Sequence, residues 1–148
     1  MQTVSIKIKR LSHAPEELPE YASLGAAGMD LRYAGEMITL GAGDRALLPT
    51  GFSISIPEGF EGQIRLRSGF AMRTGLILPN APGTIDSDYR GEIKVLLMNC
   101  STVPAAIEKH ERFAQLIIAP IARGEWNEVD ELDSSSRGQG GFGSTGKS

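Results

Sequence analysis

The sequence predicts an all-β protein, a sandwich or barrel with one short helix. Apolar and polar side chains alternate in segments such as Phe52–Ile56 and Gln63–Arg67, which is the pattern of strands that bury one face. The 18 glycines and 8 prolines are spread over all 148 residues and divide the chain into short segments. Short strands that recur about every 8–12 residues, with turn residues between them, are typical of sandwiches and barrels.

The individual strands follow from these patterns in chain order. Residues 4–8 alternate and predict a half-buried strand, and the next strand is expected to end at Pro57. The continuous apolar run Val95–Met98 predicts a strand that is covered on both faces. Residues 113–118 are interpreted in the same way.

One short segment predicts a helix. Ser68 is expected to be its N-cap, residues 69–74 its body and Gly75 its C-terminal stop. Serine accepts a hydrogen bond from the free N–H groups of a first turn, and glycine readily adopts the left-handed conformation that ends a helix. The charged segment Pro104–Arg112 predicts a solvated turn.

The composition is that of an ordinary soluble domain. A chain of 148 residues with 41% hydrophobic and 22% charged residues suits one domain. The net charge of -3 gives no basis for broad nucleic-acid binding. No apolar run approaches the roughly 18 residues of a membrane span, and no signal peptide is recognisable, so we expect a cytoplasmic protein without a membrane partner. The single cysteine, Cys100, excludes an intrachain disulfide and is predicted to be a buried strand thiol.

A glycine-rich tail ends the sequence. Residues 141–148 fit the phosphate-loop pattern G-x-x-x-x-G-K-[ST], but such a loop follows a buried strand, whereas residues 133–136 are polar and predict a linker. We therefore expect a domain at residues 1–132 and a flexible arm at residues 133–148. The N–H groups, hydroxyls and cations of the arm suit a polyphosphate, and Phe142 suits stacking on a nucleobase. A disordered, solubilising tail is the alternative.

Arg67, Ser68 and Gly69 form a first candidate site, where a predicted strand meets the predicted helix. An arginine fork, a hydroxyl and a residue without a side chain suit an anion. The alternative is a capped surface helix with an exposed arginine.

A second candidate site lies in the turn-rich stretch 80–95. Asp86 follows an expected strand end, where a carboxylate suits the activation of a water molecule. Tyr89 offers a flat wall for a sugar, and Asn80 carries the donor and acceptor that reading a base edge requires. Asp88 is expected only to hydrogen-bond within its own turn.

Three further polar residues carry little signal alone. Asp30, in the segment AGMD, suits either a hydrated metal ion or a contact that fixes a loop. His13 and His110 lie in polar contexts and are predicted to be surface residues. No cysteine and histidine cluster predicts a zinc site.

Together these segments resemble the trimeric deoxyuridine triphosphate nucleotidohydrolase (dUTPase) family. Five family motifs are matched in order over nearly the whole chain, at Ala27–Leu31, Arg67–Gly69, Asn80–Glu92, Arg112–Ile117 and Arg137–Gly146. One such motif would be weak, whereas five in order at fitting distances outweigh the alternatives given above. The resemblance implies a distorted β-jelly-roll homotrimer whose active sites lie between subunits.

The resemblance implies that the protein hydrolyses dUTP to dUMP and pyrophosphate, which supplies dUMP for dTTP synthesis and keeps uracil out of DNA. Asp86 would activate the water that attacks the α-phosphorus. Mg²⁺ would be held mainly by the triphosphate, and Asp30 would contact it at most through water. Tyr89 would stack under the deoxyribose and disfavour a 2′-hydroxyl.

The resemblance also implies a set of binding residues in three groups. The uracil pocket would be formed by Asn80 and the backbone around Thr84, Ile85 and Lys94. The phosphates would be held by Arg67, Ser68 and Gly69, with Gln115 as a further contact. The arm would close the site of a neighbouring subunit through Arg137, Phe142, Gly143, Ser144 and Thr145, with the Phe142 ring over the uracil.

Two positions depart from the family pattern. The fourth motif usually begins Gly-Asp-Arg, whereas this chain has His110-Glu111-Arg112, so the turn glycine is missing. Leu66 stands where many members carry a small residue or proline. We expect neither change to abolish activity. The rival interpretations are a dCTP deaminase on the same fold, against which Tyr89 and the intact arm argue, and a catalytically silent barrel that binds nucleotides or a protein.

Overall fold

The computed structural model describes residues 3–141. This part of the chain contains eleven strands and one short helix, which confirms the all-β prediction. The helix α1 is Ser68–Thr74. The strands are β1 (Lys7–Arg10), β2 (Glu20–Tyr21), β3 (Met29–Arg32), β4 (Ile38–Leu40), β5 (Arg45–Ser55), β6 (Phe60–Leu66), β7 (Leu76–Ile77), β8 (Gly83–Ile85), β9 (Glu92–Asn99), β10 (Ala105–Ile107) and β11 (Arg112–Pro120).

The strands pair antiparallel in three sheets. A five-stranded sheet has the order β2-β3-β11-β6-β8, a four-stranded sheet has the order β1-β5-β9-β7, and β10 pairs with β4. Apolar side chains from both large sheets form one buried cluster, in which Leu31, Val95, Leu97 and Phe113 have no exposed surface. Since successive residues of a strand point to opposite faces, the other face of the five-stranded sheet is left for polar side chains.

The helix lies where β6 ends, as the sequence predicts, but its start differs. The N-cap is Arg67, in extended conformation and without a side-chain capping bond, so the prediction that Ser68 caps the helix is wrong. The chain stays extended through Arg67, and Ser68 already belongs to the first turn. Gly75 ends the helix in left-handed conformation at φ 68°, as predicted. Phe70 anchors the helix by packing edge to face on Phe113, with ring centroids 6.1 Å apart.

Two predictions around β9 are wrong. Leu96 and Met98 are only half-buried, whereas Val95 and Leu97 are fully buried, so the apolar run is covered on one face within the single chain. Cys100 is exposed rather than buried. The fully buried Asn99 ends the strand by donating to the carbonyl oxygen of Leu40 at 2.8 Å, and the chain leaves the core directly afterwards.

Two other predicted segments also differ from expectation. The first strand begins only at Lys7 and is exposed along its length, although Val4 and Ile6 before it are half-buried. The segment Pro104–Arg112 is not wholly a solvated turn. It contains β10, whose Ala105 and Ile107 are buried, and a strand of three residues is too short to show a period of two.

The segment after β11 contains no helix or strand as far as residue 141. Trp126 and Leu132 are almost completely exposed there, at 102% and 89%. The predicted boundary between domain and arm at residue 132 therefore stays a prediction, since regular structure ends earlier, at Pro120. Within residues 3–141 no helix has both the length and the apolar character needed to cross a membrane.

Candidate active site

A pocket of about 290 Å³ opens at the junction between β6 and α1. It brings together four of the residues predicted to hold phosphates, and it is lined by Arg67, Ser68, Gly69, Phe70, Arg73, Glu111, Arg112 and Gln115. Because β11 pairs with β6, with Gln115 opposite Arg65, the second and fourth motifs are adjacent in space. The three arginines give the pocket walls an excess of positive charge, which suits an anionic ligand.

Asp30 does not line this pocket but contacts three residues that do, and its side chain is only 5% exposed. Its Oδ1 accepts from Gln115 Nε2 at 3.1 Å and forms an ion pair with Arg67, whose Nε lies 3.1 Å away, and its Oδ2 accepts from Arg112 Nη1 at 3.2 Å. The sequence left a hydrated metal ion and a contact that fixes a loop as the interpretations of Asp30. In the structure its partners lie on β11 and at the N-cap of α1 instead of in a loop. Its water-mediated contact with a metal ion stays a prediction.

The fourth motif keeps its turn without the family's glycine. His110 has a φ of 64°, the left-handed conformation that glycine adopts without strain. Its N–H donates to the carbonyl oxygen of Tyr33 at 2.8 Å, and its own carbonyl oxygen accepts from Arg32 Nη1 at 3.1 Å. Burial, and secondarily the nearby Glu36 carboxylate, raise the pKa of Tyr33. The next residue, Glu111, forms an ion pair with Arg73 of α1, so the acid in the pocket wall is neutralised.

Replacement of His110 with glycine is expected to stabilise the protein. The left-handed conformation costs a residue with a side chain about 1–2 kcal/mol, and the greater freedom of an unfolded glycine offsets part of the gain. We therefore expect the free energy of unfolding to rise by about 0.5–1 kcal/mol, measured by urea denaturation. His110→Ala keeps the strained backbone and should bring no gain. Equal stabilisation by alanine would mean that the effect comes from removal of the imidazole side chain and not from the backbone conformation.

The third motif forms the turn between β8 and β9. Asp86 directly follows Ile85, the last residue of β8, as predicted, and its carboxyl group is on an exposed residue. Asn80, Thr84 and Lys94 are also exposed around this turn, whereas Ile85 is buried. The turn thus offers a solvent-accessible carboxylate beside exposed polar groups and backbone, which is the arrangement expected for its predicted role.

Tyr89 is fixed within this turn by contacts that the sequence does not reveal. Its hydroxyl donates to the carbonyl oxygen of Glu92 at 2.9 Å, and 44% of the residue is exposed. A Cβ atom on Gly91 would lie 2.4 Å from the Tyr89 hydroxyl oxygen, so the ring lies across a residue that has no side chain. The Glu92 carboxylate accepts from His13 at 2.7 Å and from the Gly51 N–H at 2.8 Å, which gives His13 a partner that we did not predict.

The two candidate sites lie far apart within one chain. Ile85 pairs with Gly62 near the start of β6, while Arg67 follows the other end of that strand. At about 3.3 Å per residue, the backbone of Asp86 is roughly 15–20 Å from that of Arg67. A single chain therefore does not bring the predicted water-activating carboxylate to its own predicted phosphate pocket.

Only one of the predicted contact residues of the arm lies within the described residues. Arg137 lies in an exposed turn and its Nε donates to the carbonyl oxygen of Gly140 at 2.8 Å. It is not among the described residues that line the phosphate pocket. The predicted contacts at Phe142, Gly143, Ser144 and Thr145 lie outside the described residues.

Comparisons with known proteins agree over nearly the full chain. The model of the dUTPase family matches residues 14–146. The deoxyuridine 5′-triphosphate nucleotidohydrolase of Anaeromyxobacter sp. (strain Fw109-5) is 52% identical over 97% of this chain and 99% of its own length. The protein of the same name from Bdellovibrio bacteriovorus is 48% identical over 99% of both chains.

Solved structures of similar fold are dUTPases as well. The dUTPase of Staphylococcus bacteriophage 80alpha, solved with dUPNHPP, has a TM-score of 0.87 and 31% identity over 98% of this chain and 100% of its own. A mutant dUTPase from phage phi11 of S. aureus, studied for the coordination of a structural Mg(II) ion, has a TM-score of 0.78 and 25% identity, and covers 88% of this chain and 99% of its own. The predicted distorted jelly-roll fold is thereby confirmed.

Proposed function

The chain belongs to the dUTPase family, and from this premise we propose that it hydrolyses dUTP to dUMP and pyrophosphate. The observation that carries the proposal is the phosphate pocket of Arg67, Ser68, Gly69 and Gln115, formed by two of the five matched motifs. The reaction supplies dUMP for dTTP synthesis and keeps uracil out of DNA. We place the enzyme in the cytoplasm.

Asp86 is the proposed general base. Its exposed carboxylate orients a water molecule and takes its proton as the oxygen attacks the α-phosphorus of dUTP. The bond between the α-phosphorus and the bridging oxygen breaks, and pyrophosphate leaves. Arg67, the Ser68 hydroxyl and the Gln115 amide stabilise the charge on the phosphate oxygens, with Gly69 leaving the backbone accessible.

The β8–β9 turn is the proposed nucleoside site. The Asn80 amide and the backbone around Thr84, Ile85 and Lys94 read the uracil edge and leave no room for the methyl group of thymine. The Tyr89 ring, held through its hydroxyl, packs under the deoxyribose and excludes a 2′-hydroxyl. Phe142 of the arm covers the uracil, while Arg137, Gly143, Ser144 and Thr145 close over the phosphates.

The donor set of the chain fits a Mg²⁺ ion that the triphosphate holds. No group of three or more histidine, cysteine or acidic side chains within residues 3–141 could hold a metal ion, and both oxygens of Asp30 already accept hydrogen bonds, from Gln115 and Arg112. Mg²⁺ commonly keeps several waters and binds substrate phosphates with few protein ligands. Bound there it would neutralise phosphate charge, and Asp30 would reach it only through a water molecule.

The active site is proposed to be shared between the subunits of a homotrimer. The separation between Asp86 and Arg67 within one chain supports this, because a second copy can supply the missing half. The exposed Trp126 and Leu132 support packing on another copy by the segment that leads into the arm, since large apolar side chains are rarely left fully exposed in isolation. Nucleic acid and membrane are not proposed as partners.

The test is pyrophosphate release with Mg²⁺ from dUTP, compared with dTTP, dCTP, UTP and ATP, with the base of each product identified. We expect release from dUTP, and little from the other four nucleotides. A uracil product from dCTP would indicate a deaminase, and orthophosphate from ATP would support the phosphate-loop interpretation. Inactivity on every nucleotide would favour a binding protein that has kept the motifs.

Replacement of Gly91 with alanine is expected to weaken the discrimination between dUTP and UTP. The new Cβ would overlap the Tyr89 hydroxyl, so the ring must leave its hydrogen bond with Glu92. We expect kcat/KM for dUTP to fall by roughly tenfold, with a smaller loss for UTP, since a loosely held wall selects less.

Gly59 provides the matched control for this variant. It is also a turn glycine, and a Cβ there would meet no atom within 4 Å, although its φ is 85°. Gly59→Ala should therefore lower stability without changing the ratio of kcat/KM values. If the ratio of the kcat/KM values for dUTP and UTP were unchanged in Gly91→Ala, the placement of Tyr89 would not explain how the sugar is selected.

A further inference from the structure

We propose that Asp30 is a positioning residue that orients Arg67 and Gln115 for the β- and γ-phosphates. The inference rests on the proposed function and assigns Asp30 a task distinct from contact with a metal ion. It concerns the buried face of the phosphate pocket, where the first, second and fourth motifs meet.

The register of the five-stranded sheet puts the three groups side by side. Asp30 on β3 lies directly opposite Gln115 on β11, and Gln115 lies opposite Arg65 on β6. Directly paired residues point to the same face of a sheet, and so does the second residue along the same strand. Arg67 follows Arg65 by two residues, so its side chain returns to the face that carries Asp30.

Asp30 holds both side chains that are predicted to bind the phosphates, Gln115 through a hydrogen bond and Arg67 through an ion pair. Gln115 donates its Nε2 to Oδ1, which leaves the amide oxygen and the second amide hydrogen toward the pocket. Arg67 forms an ion pair with the same Oδ1 through its Nε, at 3.1 Å, and donates from Nη1 to the carbonyl oxygen of Arg112 at 3.3 Å. The guanidinium group is thus held by one ion pair and one hydrogen bond, which together restrict its orientation.

Burial makes these bonds persistent. The Asp30 side chain is 5% exposed, whereas those of Arg67 and Arg112 are 31% and 46% exposed. The carboxylate is therefore buried beneath the two guanidinium groups, which face solvent. This arrangement suits the binding of an anion from solution. A desolvated carboxylate without its donors would be costly, so the contacts are kept in the free protein.

Gly28 shapes the same group from the preceding turn. A Cβ on Gly28 would lie 3.0 Å from Gln115 Cβ and 3.4 Å from Gln115 Cδ. The absence of a side chain there lets Gln115 lie flat against the strand with its amide at Asp30. Gly28 and Asp30, which both belong to the first motif, thus help to orient Gln115.

Two physical effects of Asp30→Asn oppose each other, which makes the variant informative. Charge alone predicts tighter binding of an anion, because a negative group is removed from beside the pocket. Positioning predicts weaker binding, because Arg67 and Gln115 lose their common charged acceptor. We expect positioning to dominate, with binding of dUpNHpp weakened by roughly 10- to 100-fold, as for other orienting partners of ligand-binding groups.

The experiment is titration calorimetry of dUpNHpp and of dUMP, each in Mg²⁺ and in EDTA. The loss for Asp30→Asn should appear equally in EDTA, and it should be far smaller for dUMP, which lacks the β- and γ-phosphates. A general loss of structure would weaken both ligands alike and would contradict the inference. A loss seen only in Mg²⁺ would overturn it in favour of a metal contact, and tighter binding would overturn it in favour of simple charge.

Two further variants keep the test independent of folding. Gly28→Ala displaces Gln115 without a change of charge and should weaken dUpNHpp a few-fold with dUMP unaffected, a smaller effect than that of Asp30→Asn. Asp44→Asn is the matched control, since Asp44 bonds the Gly41 N–H at 2.8 Å in a distant turn and should change neither affinity. If the wild-type chain does not release pyrophosphate from dUTP, the proposed function fails. If it does and Asp30→Asn binds dUpNHpp normally, only the positioning role fails.

Discussion

Replacement of Asp86 with asparagine is expected to lower kcat for dUTP by about 10²- to 10⁴-fold while the substrate still binds. Asparagine has the same shape and can still hold a water molecule, but it cannot accept the proton as the oxygen attacks. Because Asp86 is exposed at the end of β8, the substitution leaves no buried group unpaired. The stability of the barrel should therefore change little.

Steady-state kinetics and the dissociation constant of dUpNHpp check this prediction together. Asp88→Asn in the same exposed turn is the matched control. It should retain most of the wild-type kcat, because Asp88 is expected only to hydrogen-bond within its own turn. Retained turnover in Asp86→Asn would remove this residue as the base. Equal losses in both variants would point to the charge of the turn rather than to proton transfer.

Truncation after Ser136 is expected to lower kcat by about 10²- to 10³-fold. The shortened chain lacks Arg137, which supplies charged donors, and Phe142, which covers the base, so water is less well excluded and the phosphates are less well positioned. The barrel should remain folded, because the last strand of its sheets ends at Pro120. Circular dichroism and the elution volume should match those of the full chain.

Lys147→Ala separates the lid interpretation from the phosphate-loop interpretation. In a lid, a single terminal cation should contribute little, and kcat should stay within a few-fold of the wild type. In a phosphate loop the equivalent lysine reaches the β- and γ-phosphates, and its loss would abolish turnover. Normal turnover by the truncated chain would show that the arm does not act as a lid.

The longer elements of the fold could be predicted from the sequence, whereas the shorter ones could not. The strands β5, β6, β9 and β11 contain enough residues for an apolar pattern to appear. The strands β2, β4, β7 and β10 have two or three residues, too few to show a period. Their existence depends on partners elsewhere in the chain, as Ala105 opposite Leu40 illustrates.

The residue types of the candidate site could be recognised in the sequence, but their arrangement in space could be seen only in the structure. The motif around Asp86 could be recognised from carboxylate, aromatic and turn residues, and its place after β8 was predicted. The position of Gly91 under Tyr89 depends on the path of the turn between β8 and β9, and the contact of Asp30 with Gln115 depends on strand register. Register also separates Asp86 from Arg67 within one chain, which no local pattern reports.

The helix start and the exposed thiol show why local preference fails at element ends. Ser68 has a side chain suited to capping, yet the N-cap is Arg67, whose N–H donates to the carbonyl oxygen of Phe113 at 3.1 Å. The first turn therefore begins one residue earlier than predicted. Cys100 follows an apolar run, yet Asn99 uses its amide to close the strand end. In both cases tertiary hydrogen bonding outweighs the preference of a single residue.

Hydrolysis of dUTP in ¹⁸O-labelled water tests the central claim most directly. If a water molecule activated by Asp86 attacks the α-phosphorus, mass spectrometry will find the label in dUMP and none in pyrophosphate. Label in pyrophosphate would mean attack on the β-phosphorus and would contradict the account, whatever the rate of the reaction.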